Sequence, residues 1–136
     1  MNAGLACALF PPICGHPTFC GMSESESLFT ALRMRDAMRG LNEERKTGDL
    51  TLKIGIHEGP CLAVMLNERQ DYFGQTVNIA SRVQHLASSR AIYATGSVVG
   101  HEASAQLLAQ TGAAPVLQQH QALRGIADDV PVYEIP

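Results

Sequence analysis

From Ser23 to Lys46, apolar residues recur at spacings of three and four: Leu28, Ala31, Met34, Met38 and Leu41. That spacing predicts an amphipathic helix whose stripe, methionines included, faces the core. Ser23 and Glu26 make a capping-box pattern at its start. Acidic residues gather early, and Arg33, Arg35, Arg39, Arg45 and Lys46 lie later, as the helix dipole favours. Gly48 is the expected stop. The period then changes to two. Leu50, Leu52, Ile54 and Ile56 alternate with Thr51, Lys53, Gly55 and His57, which predicts a strand. Cys61 to Leu66 is a continuous apolar run, as in a strand covered on both faces. With Glu58-Gly59-Pro60 between them, these two strands are expected to pair as a hairpin. Asn67 to Gln70 reads as a polar loop.

A second helix is expected from about Thr76 to Ser88. Ile79, Val83 and Leu86 form its apolar face, and Gln75, Asn78, Arg82 and His85 a polar stripe. Ala91 to Thr95 reads as a short strand, Ser97 to Gln110 as a helix ended by Gly112, and Val116 to Leu123 as a strand. Val130 to Ile135 reads as an edge or terminal strand. This order gives a mixed α/β (α+β) sandwich with helices against a sheet. Residues 1–22 show neither period and are read as an irregular N-terminal segment, with the regular domain at 23–136.

At 136 residues the chain reads as one domain, and a hydrophobic fraction of 46% is enough for a sizeable core. A net charge of −3 with 17% charged residues argues against a nucleic-acid surface. No apolar stretch is long enough to span a bilayer, and no basic residue precedes the apolar N-terminal run. A cytoplasmic location is the expectation. Cys7, Cys14, Cys20 and Cys61 form no CxxC pair, so they are read as inert thiols in a reducing compartment.

The run DYFGQTVNIASR, Asp71 to Arg82, speaks most directly of chemistry. Asn78 and Arg82 stand four apart on one helix face. Asp71 lies seven residues before Asn78, just outside the helix start. An acid, an amide and a guanidinium grouped there can meet a base edge, a ribose and a phosphate. On their own, Asn78 and Arg82 could equally be a solvated face, and Asp71 a loop acid. Gly55, Gly59 and Gly74 form no P-loop and are read as answers to backbone demands. His57, ending a strand beside a turn, is read as a structural hydrogen-bonding residue. His101 and Glu102 are too isolated for an acid–base pair.

Three segments together tip the balance. KIGIHEGP (Lys53 to Pro60), DYFGQTVNIASR and the spacing between them resemble the catalytic domain of class III nucleotidyl cyclases, the adenylate and guanylate cyclases. LRGIADDVPVYEI (Leu123 to Ile135) is similar to that family's closing strands. The resemblance covers roughly residues 23 to 136. It implies the ferredoxin-like cyclase fold and conversion of a nucleoside triphosphate into a 3′,5′-cyclic monophosphate and pyrophosphate, assisted by two Mg²⁺ or Mn²⁺ ions. It also implies a homodimer with the active site at its interface. By the same resemblance, Asn78 orients the ribose and Arg82 stabilises charge at the α-phosphate. Asp71 reads the purine, favouring ATP, and Arg124 contacts the terminal phosphates.

The resemblance also has a gap. The family's two metal-binding aspartates precede the helix that begins here at Ser23, and residues 1–22 hold no Asp, Glu or Lys. Glu24, Glu26 and Asp36 lie in the wrong local context to replace them. The chain is therefore expected to be an N-terminally incomplete member, with little turnover on its own and an open edge on its central sheet. The alternative is a non-catalytic, cyclase-like dimerisation or regulatory module.

Overall fold

The structure, a computed structural model, describes residues 5–9, 23–46, 52–59, 62–87, 91–121 and 130–136. Helix α1 spans Glu24–Arg45. Its start carries the full capping box: the Glu26 amide donates to Ser23 Oγ, and the Ser23 amide donates to Glu26 Oε2. The helix ends at Lys46, which takes the left-handed conformation (φ 52°) and whose N–H reaches the Asn42 and Glu43 carbonyls. The expected stop, Gly48, lies outside the described residues.

Strand β1 (Leu5–Leu9) pairs antiparallel with β2 (Ile54–Gly59), in the segment where the sequence shows no period. The edge of β2 expected to be open is therefore occupied. β2 runs parallel to β5 (Ile92–Thr95), with Gly55 opposite Tyr93. β5 pairs antiparallel with β7 (Val130–Ile135), and β7 with β6 (Val116–Gln121). The five strands stand in the order β1-β2-β5-β7-β6.

With both edges of β2 taken, no edge remains for the predicted hairpin between 50–57 and 61–66. Instead β3 (Leu62–Leu66) pairs with β4 (Arg69–Phe73) as a separate two-stranded sheet. The expected polar loop shrinks to Asn67 and Glu68, both at positive φ (49° and 63°), as a two-residue hairpin turn needs. Neither residue is the Gly that normally announces such a turn, which is why the pattern hid it. Asp71 accordingly sits in a strand, opposite Val64, and not in a loop.

β7 is an inner strand, not the edge or terminal strand expected. Its ladder to β5 begins at Val132, so the missing N–H of Pro131 falls outside that ladder. Helix α2 spans Gln75–Leu86. The single helix expected over 97–110 is two, α3 (Gly96–Val99) and α4 (Glu102–Thr111), broken where His101 turns extended (ψ 135°). Gly112 ends α4 at φ 71°.

The alternation of β2 splits the core between two faces. Ile54 and Ile56 pack with Leu28, Ala31 and Leu32 of α1, and with Ile92, Val98, Leu108 and Ile135. On the other face Ile79 and Val83 of α2 pack with Tyr93 and Val132. Met34 and Met38 are only half-buried, because the buried part of α1 lies in its first turns, from Glu24 to Leu32. No helix among the described residues is long and apolar enough to cross a membrane.

Candidate functional site

β4 and α2 are joined by Gly74 alone, at φ 136° and ψ 173°, a conformation that only glycine adopts freely. α2 then lies against β2. Gly59 permits the approach at its first turn, since an added Cβ would meet Thr76 Oγ1 at 2.5 Å. The glycines of GIHEG thus serve close packing, as the sequence suggested.

Pressing α2 onto the sheet fixes which way its residues face. Thr76, Ile79, Ala80, Val83 and Gln84 are buried. Gln75, Asn78 and His85 are exposed, and Arg82 is half-buried between the two sides. Asn78 and Arg82 share the outward stripe, and the Asn78 side chain has no partner among the described residues. His85 Nδ1 lies 2.6 Å from the Ser81 carbonyl and donates to it.

Arg82 is the unusual member. Its Nη1 is buried yet makes no hydrogen bond among the described residues. A buried guanidinium nitrogen is costly to leave unpaired. Such a group is poised for an anion from outside the subunit.

The backbone places Asp71 on β4, one strand end before Gly74. Arg124 falls outside the described residues.

His57 faces away from this stripe. Its Nδ1 is 2.8 Å from Thr95 Oγ1, which in turn lies 3.1 Å from Ser97 Oγ. Burial drives its pKa down to about 4, so the ring is neutral near pH 7. That is the structural role the sequence assigned.

One cluster escaped the sequence reading. Glu24, 7% exposed, lies at the start of α1, with His101 Nε2 3.9 Å from its Oε2. Glu58 of β2 hydrogen-bonds to the same Glu24. Burial first, then the Glu24 hydrogen bond and charge, raise the Glu58 pKa, while His101 pulls it down. His101 therefore pairs with Glu24 and not with its neighbour Glu102. The three residues are remote in sequence, and no local pattern joins them.

A family model described as the adenylate and guanylate cyclase catalytic domain matches residues 12–116. The chain belongs to that family. No curated protein sequence matches this cyclase-domain chain. Among solved structures, it is similar to the adenylyl cyclase CyaB from P. aeruginosa, at 20% identity and a TM-score of 0.63. That match covers 84% of this chain and 59% of CyaB. It is similar to an adenylate/guanylate cyclase/hydrolase from Silicibacter pomeroyi, at 20% identity and a TM-score of 0.68, covering 94% and 72%. It also resembles the guanylyl cyclase Cya2, at 19% identity and a TM-score of 0.61, covering 89% and 61%. This cyclase domain thus spans about three-fifths of CyaB and of Cya2.

Cyclases of this family use divalent metal ions. Among the described residues, no group of three or more His, Cys, Asp or Glu side chains could hold one. Glu24, Glu58 and His101 do not make such a group, and the described residues do not fit the family's metal pair.

Proposed function

We propose that this chain is an adenylate-cyclase-type domain, of the family that converts ATP to 3′,5′-cyclic AMP and pyrophosphate. Asn78 and Arg82 hold the ribose and the α-phosphate. The observation that carries this reading is Arg82 Nη1, buried and unpaired on the exposed stripe that also bears Asn78. The planar guanidinium keeps its charge at all working pH values and can grip two phosphate oxygens. Asn78, one helical turn earlier, offers an amide donor and an acceptor suited to ribose hydroxyls.

Both adenylyl and guanylyl cyclases share this fold, so the base preference rests on Asp71. An acid there accepts from the exocyclic amine of adenine, which favours ATP. Arg124 is proposed as a contact to the terminal phosphates.

The chain's own contribution is binding and charge stabilisation. With no fitting metal ligands among the described residues, the chain alone is expected to turn over little ATP. The exposed Asn78 stripe fits a site shared between subunits, and a homodimer with the nucleotide at its interface is the arrangement proposed.

Calorimetric titration of ATP with and without Mg²⁺ or Mn²⁺, paired with a cyclic AMP assay, tests the reading. ATP binding that Arg82→Gln abolishes is expected; binding unaffected by that change overturns it. The lack of a fitting metal group also favours a second reading, a non-catalytic cyclase-like dimerisation or regulatory module. That reading predicts no nucleotide binding at all, or binding indifferent to metal, with dimerisation intact by sedimentation.

A further inference from the structure

The Glu24–Glu58–His101 cluster stands apart from the α2 stripe. It is built from three elements that the chain brings together only on folding: the first turn of α1, the end of β2 and the residue capping α4. Glu24 is almost wholly buried. Its only ion-pair partner among the described residues is His101, at 3.9 Å. Two carboxylates repel at this range, and a hydrogen bond between them requires one to keep a proton. The contact between Glu24 and Glu58 is therefore a proton-dependent bond.

The surroundings do not supply that proton's charge elsewhere. On α1, Glu26 is committed to the Ser23 cap. On β2, His57 points to the opposite face and bonds Thr95. Beyond His101, the titratable residue at the start of α4 is Glu102, which is exposed. α3 and β5 offer the hydroxyls of Ser97 and Thr95, which bond each other. α2 approaches the end of β2 with the uncharged Thr76. Among the described residues, His101 is the one group that can offset a second negative charge at Glu24.

We propose that Glu24, Glu58 and His101 form a proton-operated latch that holds the start of α4 and the end of β2 to the first turn of α1. With one proton shared by the carboxyl pair the latch is closed. When the pair loses it, the two carboxylates repel, His101 offsets only part of the charge, and α4 loosens first because its capping residue is the exposed partner.

The sign follows from linkage. A carboxyl whose folded pKa is raised stabilises the fold below its unfolded value, and that stability is lost as pH rises through the folded pKa. Amide exchange across the full chain tests the latch between pH 4.5 and 8.5, after correction for the intrinsic rate. The α4 amides, 102–111, are expected to open more as pH rises, by up to about tenfold per pH unit where one proton is linked. The β5 amides are expected to change far less. Glu58→Gln keeps the shape and a donor to Glu24 but cannot ionise. It is expected to abolish the pH-dependent part at α4 and to retain the low-pH protection at pH 8. His57 contributes equally to both proteins, so their difference isolates the pair. Opening equal in α4 and β5, or an unchanged α4 profile in Glu58→Gln, overturns the proposal.

Discussion

Gly55 lies directly beneath Gln84: a Cβ on the glycine would stand 2.7 Å from the Gln84 Cα and 2.9 Å from the Ala80 carbonyl oxygen. These are backbone atoms of α2 and cannot rotate away. The helix that carries Asn78 and Arg82 is therefore held at its distance from the sheet by the absence of one methyl group. Gly55→Ala is expected to lift α2 and cost about 3 kcal/mol, lowering Tm by roughly 10 °C in a circular-dichroism melt. Gly40→Ala, in α1 with nothing within 4 Å, is the control. It is expected to stabilise the chain by about 0.5–1 kcal/mol, since alanine loses less backbone freedom in a helix.

Arg82 separates function from stability. Because its buried Nη1 has no partner among the described residues, Arg82→Met removes an unsatisfied polar group without breaking a bond. Tm is expected to stay within about 3 °C of the parent or to rise. ATP affinity is expected to fall by about tenfold or more, as for a lost charge-assisted contact. Calorimetry and a thermal melt on the same preparation check both halves.

His57 gives the fold an acid-sensitive side. Its folded pKa, about 4, lies below the ordinary value of 6.5 because the ring is buried. A protonated unfolded chain is thus favoured as pH falls from 6.5 towards 4, and stability declines across that window. The loss is expected to be about 2 kcal/mol, discounted for the ring's partial exposure. His57→Asn can keep a hydrogen bond to Thr95 and cannot ionise. Its urea-unfolding free energy is expected to be flatter between pH 6.5 and 4 than that of the parent.

Ser23 closes one end of α1. Its hydroxyl accepts from the Glu26 amide at 3.3 Å, while its own amide donates to Glu26 Oε2 at 2.9 Å. Ser23→Ala removes the first bond and keeps the second. A loss of about 1 kcal/mol is expected, read from the urea midpoint at constant slope.

Helix α1, its capping box, helix α2 and the strands at 54–59, 92–95 and 130–135 were legible in the sequence. Each is specified by a local period with a cap or a breaker beside it. The stripe of Asn78 and Arg82 was legible for the same reason: in a helix, residues four apart share a face wherever the helix ends up. The motif words around them pointed to the family before any fold was known.

Pairing was not legible, because it is decided by which edges are free and not by any one strand. β2 finds its partners in Leu5–Leu9 and Ile92–Thr95, so the neighbouring apolar run turned to Arg69–Phe73. The half-exposure of Met34 and Met38, the burial of Arg82 Nη1 and the meeting of Glu24, Glu58 and His101 likewise depend on what packs against each residue. Periodicity tells a residue which side of its own element it occupies. Only the assembled layers determine what stands on that side, and so whether a charge there is solvated, paired or left waiting for a ligand.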